Sequence, residues 1–240
     1  MPIVKTAELR VIEPAAPALE LQTLERGTLQ EGAYSQLRES LRSGRFTPGM
    51  TISIREAASA LGTSPMPVRG ALQRLEVEGA LVANGPRRVL KIAELAPQEL
   101  EELRDIRIEL EGLAAARAAK LVSHAGIANI KTQLELMSRA ASAGDVDAYV
   151  SANWAFHSAV YSASRMHRLV GMIETLWLRV GPYVRLMMPD KAHMMESIPH
   201  HEDLLRALQS RDARAARHAI RRDIEDAATT LLAYLESRQP

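Results

Sequence analysis

Cysteine is absent from this 240-residue chain, which excludes a disulfide framework, a thiolate nucleophile and any cysteine-based zinc site. No apolar run approaches the roughly 18 residues that would span a bilayer, and the N-terminus lacks the basic-then-apolar pattern of a secretory signal. A cytoplasmic location with no membrane partner is the expectation. Internal repeats and low-complexity segments are missing as well. Net charge is small, at +1, but the near-balance conceals an asymmetry. Residues 28–92 carry nine Lys/Arg against five Asp/Glu, whereas residues 94–240 carry 18 against 20. A local basic excess is what phosphate contact requires, so a nucleic-acid partner is expected on the N-terminal side. The length admits two domains, each able to bury its own core.

Within the basic region, the stretch from Ser53 to Leu81 has the pattern of two helices and a tight turn. Ile54, Ala57, Ala58 and Leu61 recur at helical spacing and stop at Gly62. Ser64 before Pro65 opens a second helix whose apolar stripe is Val68, Ala71, Leu72 and Leu75. Only Gly62, Thr63 and Ser64 separate them, and so short a turn makes the helices cross steeply. That geometry lets the second helix enter a DNA major groove.

An earlier helix is expected from Thr28, with Tyr34, Leu37 and Leu41 on its apolar face and Gly44 as its stop. After Gly79, residues 80–83 and 89–92 read as two short strands around Asn84-Gly85, a hairpin signal. Its tip carries Arg87 and Arg88, as a wing reaching phosphate would. The chain then turns helical, with spans expected at 97–122, 124–143, 145–163, 166–188 and 199–236. The last divides near Ser210, with Asp212 at the start of a final helix. The fold class is therefore mainly α: a winged helix-turn-helix with a small β-hairpin wing, then an all-α six-helix bundle able to hold a cavity. The expected divisions are a flexible tail over 1–24, the DNA-binding domain over 25–93 and the helical domain over 94–240.

The segments YSQLRESLRSGRFTPGMTIS and LGTSPMPVRGALQRLEVEGAL, followed by a basic wing, resemble the DNA-binding domain of the GntR family of bacterial transcription regulators. ELRDIRIELEGLAAARAA, NWAFHSAVYSAS and HEDLLRALQSRDARAARHAI resemble the helical (FCD) ligand-binding domain of its FadR-type subgroup. The resemblance covers about residues 28–236. It implies a homodimer on a palindromic double-stranded operator, responding to a small carboxylate or related metabolite bound in the helical domain, often beside a divalent metal.

Arg69, in the first turns of the recognition helix, is the leading candidate for a base contact, since arginine bridges guanine O6 and N7. Pairing with a nearby glutamate is its structural alternative. Arg55 matches a position that contacts DNA in the resembling family. Thr63 and Ser64 can donate to phosphate at the helix N-terminus. The family often has an arginine where this chain has Pro65, so Met66 is a candidate for an apolar contact to a thymine methyl. Arg74, Arg87 and Arg88 complete the set, with simple solvation as their alternative.

Asn153 and His157, four apart, share a helical face. The resemblance makes them metal ligands together with His201 and, where a histidine is usual, Asp223. His218 lies about 140° from Asp223 around the helix and is set aside. Two imidazoles, a carboxylate and an amide suit zinc, nickel or manganese. A metal-free pocket in which the same groups hydrogen-bond the effector stands as the alternative. His167, His193 and His200 read as surface residues.

For an effector carboxylate the candidates are Arg107, Arg179 and Tyr183. Arg107 has a second reading, as a surface ion pair with Glu111 four residues on. Two rival functions remain: a direct metal sensor, and a metal-dependent enzyme, the latter without an acid/base pair or nucleophile at recognisable spacing.

Overall fold

The computed structural model describes residues 27–84, 89–188 and 190–237. The expected tail over 1–24 and the wing-tip residues Arg87 and Arg88 lie outside that set. The first unit comprises α1 (Gly27–Arg42), β1 (Thr51–Ile52), α2 (Ile54–Ala60), α3 (Pro65–Val77), β2 (Leu81–Asn84) and β3 (Val89–Ile92). Its core joins Tyr34, Leu37 and Leu41 of α1 to Val68, Ala71, Leu72 and Leu75 of α3, which are the two stripes seen in the sequence. The wing is not a bare hairpin. Antiparallel β1 adds to β3, giving the order β1-β3-β2, with Ile52 paired to Leu90. Two residues are too short to show an alternating pattern, which is why β1 is silent in the sequence.

Six further helices follow: α4 (Pro97–Leu121), α5 (His124–Ala143), α6 (Val146–Ala163), α7 (His167–Met187), α8 (Lys191–Gln209) and α9 (Ala213–Glu236). Side-chain caps set the starts of four of them. Ser123, Asp145, Asp190 and Asp212 each accept a backbone N–H from the first turn of the helix they open. Asp190 moves the start of α8 back from the expected residue 199. Pro199, whose fixed φ suits a first turn, instead lies inside that helix. Four fully buried alanines of α4 (Ala114, Ala115, Ala118 and Ala119) let it pack closely along α9, while α5 lies against α6 and α8.

The units meet at α1 and α7. Leu178 of α7 is fully buried within the core of the first unit. Gly181 is where the backbones come together: a Cβ there would lie 2.6 Å from the Leu41 carbonyl oxygen. Around this contact, Arg38 and Arg42 pair with Glu174 at 3.0 and 3.6 Å.

Candidate functional site

The α3 helix buries Val68, Ala71, Leu72 and Leu75 and turns Met66, Arg69 and Gln73 outward. Met66 is 73% exposed. Arg69 is exposed and makes no ion pair among the described residues, in keeping with an arginine available to a base edge. Gln73, four residues on, shares its face and was missed in the sequence; its i,i+4 relation to Arg69 is the signal, and glutamine can read adenine. Arg55 is exposed near the start of α2. Ser64 caps α3 through its backbone only. Its usual partner, the N–H at the third helical position, is missing because that residue is Pro67. Two prolines among the first three positions also leave Met66 as the sole N–H donor there. The helix N-terminus is thus a poorer phosphate site than Thr63 and Ser64 suggested.

Arg74 is half-exposed and packs its guanidinium against α1. Its guanidinium lies 3.7 Å from the Tyr34 ring centroid and pairs with Glu31 at 3.2 Å and Glu78 at 3.3 Å. Tyr34 donates its hydroxyl to Glu78 at 2.6 Å, and burial with that carboxylate raises the phenol to about 12. This cluster braces α1 against α3, which gives Arg74 a structural role.

A cavity of about 220 Å³ lies among α4, α6, α7, α8 and α9. All four expected metal ligands line it, as does Arg107. His201 Nε2 lies 3.0 Å from Asn153 Oδ1, 3.2 Å from His157 Nε2 and 3.7 Å from Asp223 Oδ1. Asp223 Oδ2 is 3.5 Å from His157 Nε2. Tetrahedral ligands about 2.1 Å from one ion are about 3.4 Å apart, so these spacings fit a small divalent cation.

Hydrogen bonds behind the two rings fix their orientation. His201 Nδ1 donates to the Ser197 carbonyl at 2.9 Å. Tyr161 gives its hydroxyl proton to Glu111 and accepts from His157 Nδ1 at 3.1 Å. Each Nε2 therefore faces the cavity, the orientation metal-binding histidines use. Burial pushes the His157 imidazole down to about 3, with His201 and Arg107 adding to the shift against the opposing Asp223. Burial alone would raise Asp223, but His201, His157, Arg107 and His200 bring it below the usual carboxylate range. The cluster brings two imidazole nitrogens, an amide oxygen and a carboxylate together, which is a donor set for a cation.

Both readings of Arg107 hold in part. It lines the cavity and also pairs with Glu111, Nε to Oε1 at 2.6 Å, but the pair is buried and not at the surface. Burial opposes its charge and Glu111 outweighs that, raising the guanidinium. Arg179 and Tyr183 do not reach the cavity. Arg179 bonds Glu99 at 2.5 Å and the Glu94 carbonyl at 3.3 Å, and the Tyr183 hydroxyl accepts the Leu95 N–H at 2.7 Å. Both hold the connection between the units. The cavity face of α7 is Trp177, Val180, Val184 and Met187, and Arg179 lies about 200° around the helix from Trp177. The Trp177 Nε1 is buried with no acceptor among the described residues, a state that costs about 1–3 kcal/mol. His193 is exposed, as expected, at the rim of the cavity, whereas His200, also expected at the surface, is partly buried in its lining and pairs with Asp226 at 2.9 Å. His167 and His218 are exposed.

Residues 29–89 match the bacterial regulatory proteins of the gntR family, and residues 102–226 match the FCD domain. The HTH-type transcriptional regulator McbR of Escherichia coli (strain K12) is 32% identical over 188 residues, covering 78% of this chain and 85% of that one. The chain belongs to the GntR family. A probable D-xylose utilization operon transcriptional repressor of Paenarthrobacter nicotinovorans is 28% identical over 193 residues, covering 78% and 83% of the two chains. The solved structure of E. coli McbR/YncC shares 30% identity and a TM-score of 0.78, over 88% of this chain and 98% of that one. As a GntR regulator of the FadR type with an FCD domain, the protein is a DNA-binding transcription regulator. No helix among its described residues is long and apolar enough to cross a membrane.

Proposed function

We propose that this GntR regulator works as a homodimer on a palindromic operator, and that a small carboxylate entering the helical domain's cavity changes its grip on DNA. The observation that supports the cavity's role is the inward convergence of Asn153, His157, His201 and Asp223 beside Arg107. Those four residues would hold a divalent metal (zinc, nickel or manganese), and such an ion supplies a Lewis-acidic anchor for a carboxylate oxygen. Arg107, held in place by Glu111, orients the anion from the other side.

The route to DNA runs through α7. One face of this helix lines the cavity with Trp177, Val180 and Val184, while Leu178 is embedded in the core of the DNA-binding unit. A ligand that displaces α7 therefore displaces the recognition helix, altering its match to half-sites about one helical turn apart.

A second reading, direct metal sensing, is favoured by the cavity's charge. Glu111 already neutralises Arg107, while Asp223, Asp226 and Glu196 line the walls. An operator-binding titration separates the two readings. Chelated protein is titrated first with metal and then with short carboxylates. If the first reading holds, metal alone leaves operator affinity unchanged and a carboxylate shifts it by about tenfold or more, within the usual range of allosteric coupling. A full response to metal alone assigns the protein as the sensor of the ion.

A further inference from the structure

We infer that α3 reads a guanine and, two base pairs further on, an adenine with thymines beside it, and that Gln73 is the residue that selects the adenine. One recognition helix suffices for this reading, whatever the cavity binds. Counted from Arg69, Gln73, Met66 and Val77 fall at about 40°, 60° and 80° around the helix. The four side chains form one strip opposite the buried Val68, Ala71, Leu72 and Leu75. Beyond Val77 the strip is closed by α1. A Cβ at Gly70 would lie 2.6 Å from Gln30 Cδ, so the Gln30 carboxamide occupies the place where a side chain of α3 would stand.

Gln73 is exposed in this strip and makes no side-chain hydrogen bond among the described residues. Met66 and Val77, at 73% and 88%, are the two most exposed large apolar side chains among those residues, and both stand on the strip. A free carboxamide bracketed by two apolar side chains suits the major-groove edge of an A·T pair, which offers one acceptor, one donor and a methyl group.

The polarity of the carboxamide selects the base. Gln73 Nε2 donates to adenine N7 while its Oε1 accepts from N6. Guanine presents two acceptors at the same places, so the carboxamide satisfies only one of them. Arg69 has donors alone and takes guanine O6 and N7. Four helical residues rise about 6 Å and stacked base pairs about 3.4 Å, which sets the two contacts about two base pairs apart. Met66 and Val77, about 16 Å apart along the axis, reach thymine methyls on either side of Gln73.

The test starts with full-length protein selecting bound duplexes from a randomised double-stranded library. The enriched sequences should share one guanine, an adenine two base pairs away and thymines beside it. On the best sequence, Gln73→Ala should reduce the preference for adenine by about tenfold, equivalent to about 1.4 kcal/mol, with the guanine preference kept. Gln73→Glu accepts but no longer donates, so it should move the preference at that position to cytosine, whose N4 is a donor. Deoxyuridine in place of thymine removes only the methyl group. It should weaken wild type by about fourfold per contacted methyl and leave the Met66→Ser, Val77→Ser double variant indifferent. A motif without guanine and adenine at that spacing, or an adenine preference that survives in Gln73→Ala, overturns the inference. Deoxyuridine duplexes that bind wild type as tightly as thymine duplexes overturn its thymine part. Selection of no shared sequence overturns it together with specific operator binding.

Discussion

The Nε2 atoms of His157 and His201 lie 3.2 Å apart, both facing the cavity. Nδ1 of each ring is committed to a hydrogen bond behind it, so neither ring can resolve the contact by changing tautomer without losing a partner. A shared cation does resolve it. His157→Ala should therefore abolish metal binding, measured by elemental analysis of untagged protein. At metal concentrations about 100 times the dissociation constant, the loss should lower Tm by roughly 5–10 °C, from about 2.7 kcal/mol of linked stability. Wild-type protein that carries no divalent metal, and whose Tm does not respond to zinc, nickel or manganese, would defeat the metal proposal.

Asp223→His is the complementary change. The carboxylate already lies 3.5 and 3.7 Å from the two imidazole nitrogens, and a third imidazole is the better ligand for later first-row ions. Metal affinity should be retained or increased, most clearly for nickel, in a calorimetric titration. Loss of binding would place Asp223 outside the ligand set.

Acid should destabilise the chelated protein through His157. Its folded value, about 3, is below the ordinary 6.5, so the unfolded chain takes up the proton first. Stability contributed by the neutral ring is present above pH 6.5 and is lost as pH falls toward 3. Between pH 6.5 and 5.5 this one group removes about 1 kcal/mol. Denaturant titrations at the two pH values should give that difference in wild type and a smaller one in His157→Asn.

Arg69→Ala and Arg74→Ala should separate reading from bracing. Losing Arg69 removes about 1–3 kcal/mol of base discrimination per half-site and leaves Tm unchanged. Losing Arg74 weakens the packing of its guanidinium on Tyr34 and two half-exposed ion pairs, about 1 kcal/mol of stability in all, with operator preference intact. Fluorescence anisotropy on operator and scrambled DNA, with thermal melts, measures both. The reverse outcome would exchange the two roles.

Gly181→Ala opposes helix propensity to packing. Propensity alone predicts a gain of about 1 kcal/mol. The new Cβ, however, would meet Leu41 O at 2.6 Å and the Arg42 Cα at 2.8 Å, both backbone atoms that cannot rotate aside. Overpacking of this kind costs about 1–3 kcal/mol, so the variant should melt lower than wild type and be cleaved faster at residues 93–96 in limited proteolysis. A higher Tm would mean that α1 and α7 tolerate separation.

The helix-turn-helix was legible because one face of each helix is apolar and the other polar, so Val68, Ala71, Leu72 and Leu75 mark the phase of α3 directly. The convergence of Asn153, His157, His201 and Asp223 on one cavity was legible residue by residue through their spacing and the family resemblance. Helix α7 was legible as a helix, expected over 166–188, but the roles of its faces were not. Leu178, Val180, Gly181, Pro182, Tyr183 and Val184 are all buried, against two different surroundings, so in this stretch hydrophobicity does not say which residue meets which surrounding. Choosing Arg179 and Tyr183 by their i,i+4 relation found a shared face, but one turned to residues 94–99. Trp177 on the other side had only its spacing to Val180 and Val184 to reveal it. The start of α8 was obscured because Pro199 imitates a first turn while Asp190 makes the actual cap.

Leu178 belongs in sequence to the helical domain and in packing to the DNA-binding unit. A DNA-binding fragment ending near Leu95 would carry an open socket lined by its own core, and the remaining helical half would project a leucine into water. Neither half is thus a self-sufficient part to be grafted onto another regulator at the linker. An exchange of domains must carry α7's residue 178 along with the winged helix, or supply a side chain of the same shape at that place.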